Sequence, residues 1–313
     1  MHHWHWLIVI YLFLGGLGAG AYLTSFAAEK GWLGPNSRLS RVGYYIAAPV
    51  VAVGTALLVL DLGQGLYKPW LLVRLVLNVG SVMTWGVYIL SLFIIVGLIK
   101  GYLVLKSKTA PNWLTWAGAV LALATAAYTG LLIAVVKAIP FWNTFIMPFL
   151  FVASALSTGL SVTALGAHFL EKQAHGNATE GKVHLWLVIV ELIIVIIFFG
   201  MMAGGAKGPV GAESASMVMF GKYAIVFWGY FIALGLLLPL VVFGLEYMRA
   251  KQSGVQVATE PASTNSGTVA AVESGHESSY LVLVTDLAVL VGGFALRALV
   301  IFAALPIWDG KLL

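Results

Sequence analysis

The fold is decided by the first apolar run: Trp6-Leu-Ile-Val-Ile-Tyr11-Leu-Phe-Leu-Gly-Gly-Leu-Gly-Ala-Gly20-Ala-Tyr22-Leu-Thr-Ser-Phe-Ala-Ala28. It carries no charged residue, and roughly 20 consecutive apolar residues are what an α-helix needs to cross the hydrocarbon core of a bilayer. Four glycines, Gly15, Gly16, Gly18 and Gly20, interrupt it, and Gly16 and Gly20 stand in G-x-x-x-G spacing. A nucleotide-binding reading of these glycines would require a preceding strand and polar surroundings. Close packing of helices, which small residues permit in lipid, is the better account.

Working outward, the same pattern recurs along the sequence. Spans are expected at residues 6–28, 42–60, 81–99, 113–136, 145–169, 184–202, 223–247 and 280–304. The ten-residue alternation of an outer-membrane barrel is missing. The expected class is therefore an all-α integral membrane protein with eight transmembrane helices. Composition agrees: 61% of the 313 residues are hydrophobic and only 9% are charged, where soluble domains carry about 25% charged residues. Residues 250–279, rich in Ser, Thr, Gly, Glu and Ala, read as a flexible linker before the last span. A cleavable signal peptide is not expected, because the first apolar run is long enough to span and its flank is poor in Lys and Arg.

Eight crossings put both termini on one side. Loops after odd-numbered spans hold Lys30, Arg38, Arg41, Lys100, Lys106, Lys108, Lys172, Lys182, Arg249 and Lys251; the other side holds Lys68, Arg74, Lys137, Lys207, Lys222 and Lys311. Basic residues collect in cytoplasmic loops, so both termini are expected outside and the linker inside. The net charge of +5 speaks to this topology rather than to nucleic acid.

With no cysteine, this protein cannot hold an iron–sulfur cluster or a thiolate metal site. Seven histidines invite a haem reading, but none lies mid-span. His2, His3 and His5 sit at the outer entrance of the first span, His168, His175 and His184 at or between the inner ends of the fifth and sixth, and His276 in the linker. Neither metal nor haem is expected, and the interfacial histidines are expected to be solvated. Charges inside spans are costly unless paired or hydrated, which draws attention to Glu191, Glu246, Asp286 and Arg297. Asp286 and Arg297 are eleven residues apart, close to three helical turns and so near one face. A structural ion-pair network and a proton path account for them equally well.

In the first half the polar groups are tyrosines. Tyr11 shares a helix face with Trp4, Gly15 and Gly18; Tyr128 lies nine residues before Lys137, about 13 Å down by helix rise. Asp61 closes the second span on the same side. A buried tyrosine is by default an apolar body whose hydroxyl finds a carbonyl, yet the shared depth of these groups suits a pocket for an apolar ligand with polar head atoms.

The run from Trp4-His5-Trp6 through Gly20 resembles the opening helix of the NrfD/PsrC family, the membrane subunits of polysulfide-reductase-like complexes. Leu58-Val-Leu-Asp61-Leu-Gly63, Asn78-Val-Gly-Ser81-Val-Met-Thr-Trp85-Gly86, Ala127-Tyr128-Thr129-Gly130, Ile139-Pro140-Phe-Trp142-Asn143-Thr and Ser154-Ala-Leu-Ser-Thr-Gly159 resemble later stretches of it, in order. The resemblance implies two four-helix bundles, a first at residues 1–137 and a second formed by 138–249 with 280–313. It also implies a quinone, menaquinone or ubiquinone, bound near the outer face of the first bundle. Electrons would pass between it and an iron–sulfur subunit, which relays to a molybdopterin catalytic subunit.

Tyr128 matches a family tyrosine able to bond a quinone carbonyl. Where some members carry an Asn and a His on the first helix, this sequence has Ile8 and Tyr11. Tyr128 and Tyr11 are then expected to hold the ring, Asp61 or His5 to exchange protons, and Trp4, Gly15 and Gly18 to shape the pocket. The expected location is the inner membrane of a prokaryote. The rivals are a secondary transporter or proton channel, marked by broken helices in paired repeats, and a purely structural anchor.

Overall fold

The computed structural model describes residues 3–34, 37–61, 77, 78, 80–170, 178–257 and 268–307, with side chains described outside 3–5, 61, 178, 250–257 and 268–279. Among the described residues the protein is helical, without strands. The helices are α1 (His3–Glu29), α2 (Leu39–Asp61), α3 (Val82–Leu105), α4 (Asn112–Ala134), α5 (Ile146–Leu170), α6 (Ala178–Ala203) and the short α7 (Gly208–Met219). Then come α8, a π-helical stretch (Val226–Leu237) running into an α-helical one (Leu238–Val257), and α9 (Thr268–Phe302). Eight of these segments are long and apolar enough to cross a membrane, and they coincide with the eight expected spans.

The third span runs to Leu105, six residues past its expected end. Lys100, expected in a loop, lies inside it and is buried. An ion pair with Glu29 offsets the cost of that burial. Helix also enters both ends of the expected linker, through Val257 and from Thr268; residues 258–267 lie outside the described residues.

α1, α5 and α9 are the most enclosed spans, α3 and α6 the least. α1 packs on α2, α4, α5 and α9, and α5 on α2, α4, α6 and α9. Because α1 and α5 each touch helices from both halves, these contacts do not by themselves divide the protein into two bundles. A close backbone approach joins the two central helices. A Cβ on Gly20 would collide with the Ala155 carbonyl of α5, and one on Gly159 with the backbone of Gly20. In a bilayer, where lipid tails are as apolar as leucine, such backbone-to-backbone contact is what holds helices together. Among the described residues the outward surface carries many large apolar side chains, Trp85, Ile95, Trp113, Phe145, Trp186 and Ile196 among them.

The helix ends are defined locally. Pro111 immediately precedes α4, and Thr144 Oγ1 accepts from the Ile146 amide at the start of α5. Gly205 and Gly208 take positive φ of 75° and 78° between α6 and α7, a backbone conformation open to glycine.

Candidate functional site

Two polar regions matter, one in each half. In the first half, Tyr11 of α1 and Tyr128 of α4 are both buried and within electrostatic reach of each other. The ring of Tyr128 lies against Gly86 of α3, where an added Cβ would overlap its phenol carbon and hydroxyl. Thr129 Cγ2 would stand 3.2 Å from a Cβ on Gly15, and Tyr11 Cε2 3.9 Å from it, so Gly15 belongs to the same place. The Tyr11 hydroxyl is buried without a hydrogen-bond partner among the described residues. An unmet buried hydroxyl costs about 1–3 kcal/mol and points to an acceptor supplied by something else.

Gly18 is elsewhere. It faces α2, where a Cβ would meet Val51 Cγ2 at 2.6 Å and the Ala47 carbonyl at 2.7 Å. It therefore sets the spacing of α1 and α2. The side chains of Trp4, His5 and Asp61 lie outside the described residues.

In the second half, Arg297 is fully buried. Its Nε donates to the Leu12 carbonyl of α1 at 3.2 Å, and its Nη1 to Ser154 Oγ at 3.0 Å and to the Gly293 carbonyl at 2.6 Å. The guanidinium stands over the rings of Phe13 and Phe151 at 5.7 and 5.4 Å. Glu191, also buried, faces Ser154, Ser157 and Arg297. Asp286 is buried, with Glu246, Glu180 and Arg38 around it.

His184 departs from expectation. It is not solvated at an interface but buried, stacked on Phe243 at 4.2 Å, with Ser161 Oγ 3.0 Å and Asp286 Oδ1 3.7 Å from its Nε2. The second distance is within ion-pair range and beyond a hydrogen bond. His168 contacts Phe169 instead. Among the described residues no three His, Asp or Glu side chains converge as metal ligands.

Residue-type reasoning missed a third cluster, at the end of the molecule bearing the more basic loops. Lys100 Nζ lies 2.9 Å from Glu29 Oε2 and donates to Thr115 Oγ1 at 2.9 Å; it also stands 4.6 Å over the Tyr44 ring. Tyr44 donates to Glu29 at 2.6 Å, and Tyr22 to the Thr115 carbonyl at 3.4 Å. The signal was present, since Lys100 is followed by Gly101-Tyr-Leu-Val-Leu105, which prolongs the apolar run.

Eight membrane-length helices, a buried tyrosine pair with an unmet hydroxyl and a separate buried charge cluster define a polytopic membrane protein with polar interior sites. Residues 2–271 match the family described as Polysulphide reductase, NrfD, and the protein belongs to it. It is 30% identical to the C subunit of polysulfide reductase from Wolinella succinogenes, over 96% of this sequence and 93% of that protein. It is also 30% identical to protein NrfD of Escherichia coli, over 76% of this sequence and 83% of the relative, and 26% identical to a protein NrfD homolog of Haemophilus influenzae, over 76% and 82%. It is thus a multi-pass membrane protein whose relatives suggest a place in a redox complex.

Proposed function

We propose that this protein is the quinone-reactive membrane subunit of a multi-subunit oxidoreductase. In this reading it exchanges electrons between the membrane quinone pool and a partner iron–sulfur subunit that relays to a molybdopterin catalytic subunit. The observation that carries it is the Tyr11 hydroxyl, buried beside Tyr128 with no acceptor among the described residues. A quinone carbonyl is an acceptor of the right kind at the end of a flat apolar ring, and the lining of Tyr11, Tyr128, Gly15 and Thr129 suits such a ring.

A bound quinone would supply two-electron, two-proton chemistry. The protein's own part is to position and to protonate. Tyr11 and Tyr128 donate hydrogen bonds, and the bare surface of Gly86 leaves the Tyr128 ring its place. Asp61 and His5 are the groups assigned to exchange protons, and Trp4 is assigned to shaping the pocket. Residues 1–137 hold the pocket in this assignment, and 138–249 with 280–313 hold the charge cluster. Glu191, Glu246, Asp286 and Arg297 are assigned to proton handling. The asymmetry of basic loops supports an inner-membrane orientation with both termini outside.

Titration of the purified protein with a quinone analogue, followed by its difference spectrum, tests the reading. Saturable binding weakened by Tyr128→Phe is the expected result. Absence of saturable binding would leave a structural anchor as the better account.

A further inference from the structure

At the end of the molecule with fewer basic loops, a groove of about 480 Å³ runs between α4 and α5. Its apolar lining is Ala127, Leu131 and Ala134 of α4, with Phe145, Pro148 and Phe149 at the start of α5. Leu131, Phe145 and Phe149 are exposed, so in a bilayer the groove opens sideways onto hydrocarbon. Ala127 lies seven residues before Ala134 at the end of α4, and the groove therefore descends about 10 Å from the helix ends. Its floor is set by backbone contact. A Cβ on Gly130 would meet Pro148 Cα at 2.6 Å and the Met147 carbonyl at 2.8 Å.

The lining changes character at the helix ends, where Asn143 and Lys207 stand. Asn143 Nδ2 donates to the Ala134 carbonyl at 2.7 Å, which orients the amide and leaves its Oδ1 as an acceptor. Lys207 is half-buried. It sits between Gly205 and Gly208, whose positive φ shapes the turn from α6 to α7. The start of α7 is docked beside it, since a Cβ on Gly211 would lie 3.6 Å from Pro140 Cβ in the connection between α4 and α5. The Lys207 ammonium has no ion-pair partner among the described residues.

A half-buried cation at the head of an apolar groove calls for an anion with an apolar tail. A quinone is neutral and leaves the lysine unanswered. A membrane-crossing helix needs a face about 30 Å long, three times the depth of this lining.

We propose that the groove binds a phospholipid with a net negative headgroup, its phosphate on Lys207 and one acyl chain between α4 and α5. Basic recesses between transmembrane helices take anionic headgroups in this way. A headgroup hydroxyl, as phosphatidylglycerol carries, can donate to Asn143 Oδ1. The site is separate from the quinone reading: Tyr128 lies against Gly86 of α3, whereas its neighbour Ala127 lines the side toward α5.

The test uses the full-length protein with its co-purifying subunits, stripped of lipid in detergent. It is then given phosphatidylglycerol, phosphatidylcholine with the same acyl chains, or inorganic phosphate, and bound lipid is counted by native mass spectrometry. Phosphatidylglycerol should be retained, and phosphatidylcholine should bind more weakly. Lys207→Gln should weaken phosphatidylglycerol binding about fivefold, the effect of one lysine at a membrane surface. Lys222→Gln, at an exposed position on the same end but outside the groove lining, should leave it unchanged. Leu131→Trp, which fills the groove from its open side, should reduce binding of both lipids. Equal binding of the two lipids overturns the proposal, as does a Lys207→Gln protein that binds phosphatidylglycerol like the parent. Displacement of the lipid by inorganic phosphate would make this a free-phosphate site, and displacement by the quinone analogue would give the groove to the quinone; either also overturns it.

Discussion

The ring of Tyr128 occupies the space that a side chain on Gly86 would fill. That contact joins α3 to α4 and holds the tyrosine by packing. It makes Gly86 a positioning residue for the pocket, although it carries no chemistry of its own.

Gly86→Ala should accordingly push Tyr128 out of place. In the quinone-analogue titration it should weaken binding at least as much as Tyr128→Phe. Binding equal to the parent protein would mean that Tyr128 does not reach the ligand.

Tyr128→Phe keeps the ring and removes the hydroxyl. Its expected cost is about 1–1.5 kcal/mol in binding, the net value of one neutral hydrogen bond, or roughly a tenfold rise in the apparent dissociation constant. Tyr11→Phe should show a divided signature. Without ligand it should leave thermal stability unchanged or raised, since it deletes a buried hydroxyl that has no partner among the described residues; with the analogue it should bind more weakly. Loss of stability without change in binding would make Tyr11 a structural residue.

Gly159→Ala sets a methyl group against the backbone of Gly20. The two central helices cannot separate without disturbing α9 and α2, so relaxation is limited, and overpacking of this kind costs about 1–3 kcal/mol or more. A clear fall in the melting temperature in detergent is expected. An unchanged melting temperature would show that the two backbones are not held in contact at this point.

Lys100→Met tests the third cluster. It removes the ion pair and the bond to Thr115, while Glu29, partly exposed, keeps the Tyr44 hydroxyl. Because water screens the Glu29 side, the expected loss is modest, about 1–2 kcal/mol, read as a lowered melting temperature. A loss of folding altogether would show that Lys100 is needed for insertion of α3.

Orientation can be read by labelling, since the protein has no cysteine of its own. A single cysteine at Lys108, exposed at the basic end, should react only with membrane-permeant maleimide in intact cells. One at Lys222, exposed at the other end, should also react with the impermeant reagent. The reverse pattern would invert the membrane orientation.

The eight spans, the integral-membrane class and the family resemblance were all legible in the sequence, because hydrocarbon demands long uncharged runs and lets few other patterns survive. The Gly16–Gly20 motif announced close packing, and Glu191, Asp286 and Arg297 announced buried charge. What no linear reading supplied were the partners. Gly20 meets Gly159, Gly18 meets α2 rather than a pocket, and Lys100 finds Glu29 across 71 positions of sequence. His184 looked like an interfacial residue from its place near a span end, yet α5, α8 and α9 close around it with Ser161, Phe243 and Asp286. Hydropathy depends on each residue's own transfer free energy and so is written along the sequence. Burial of a particular polar atom depends on which helices surround it, and that is decided only when the helices pack.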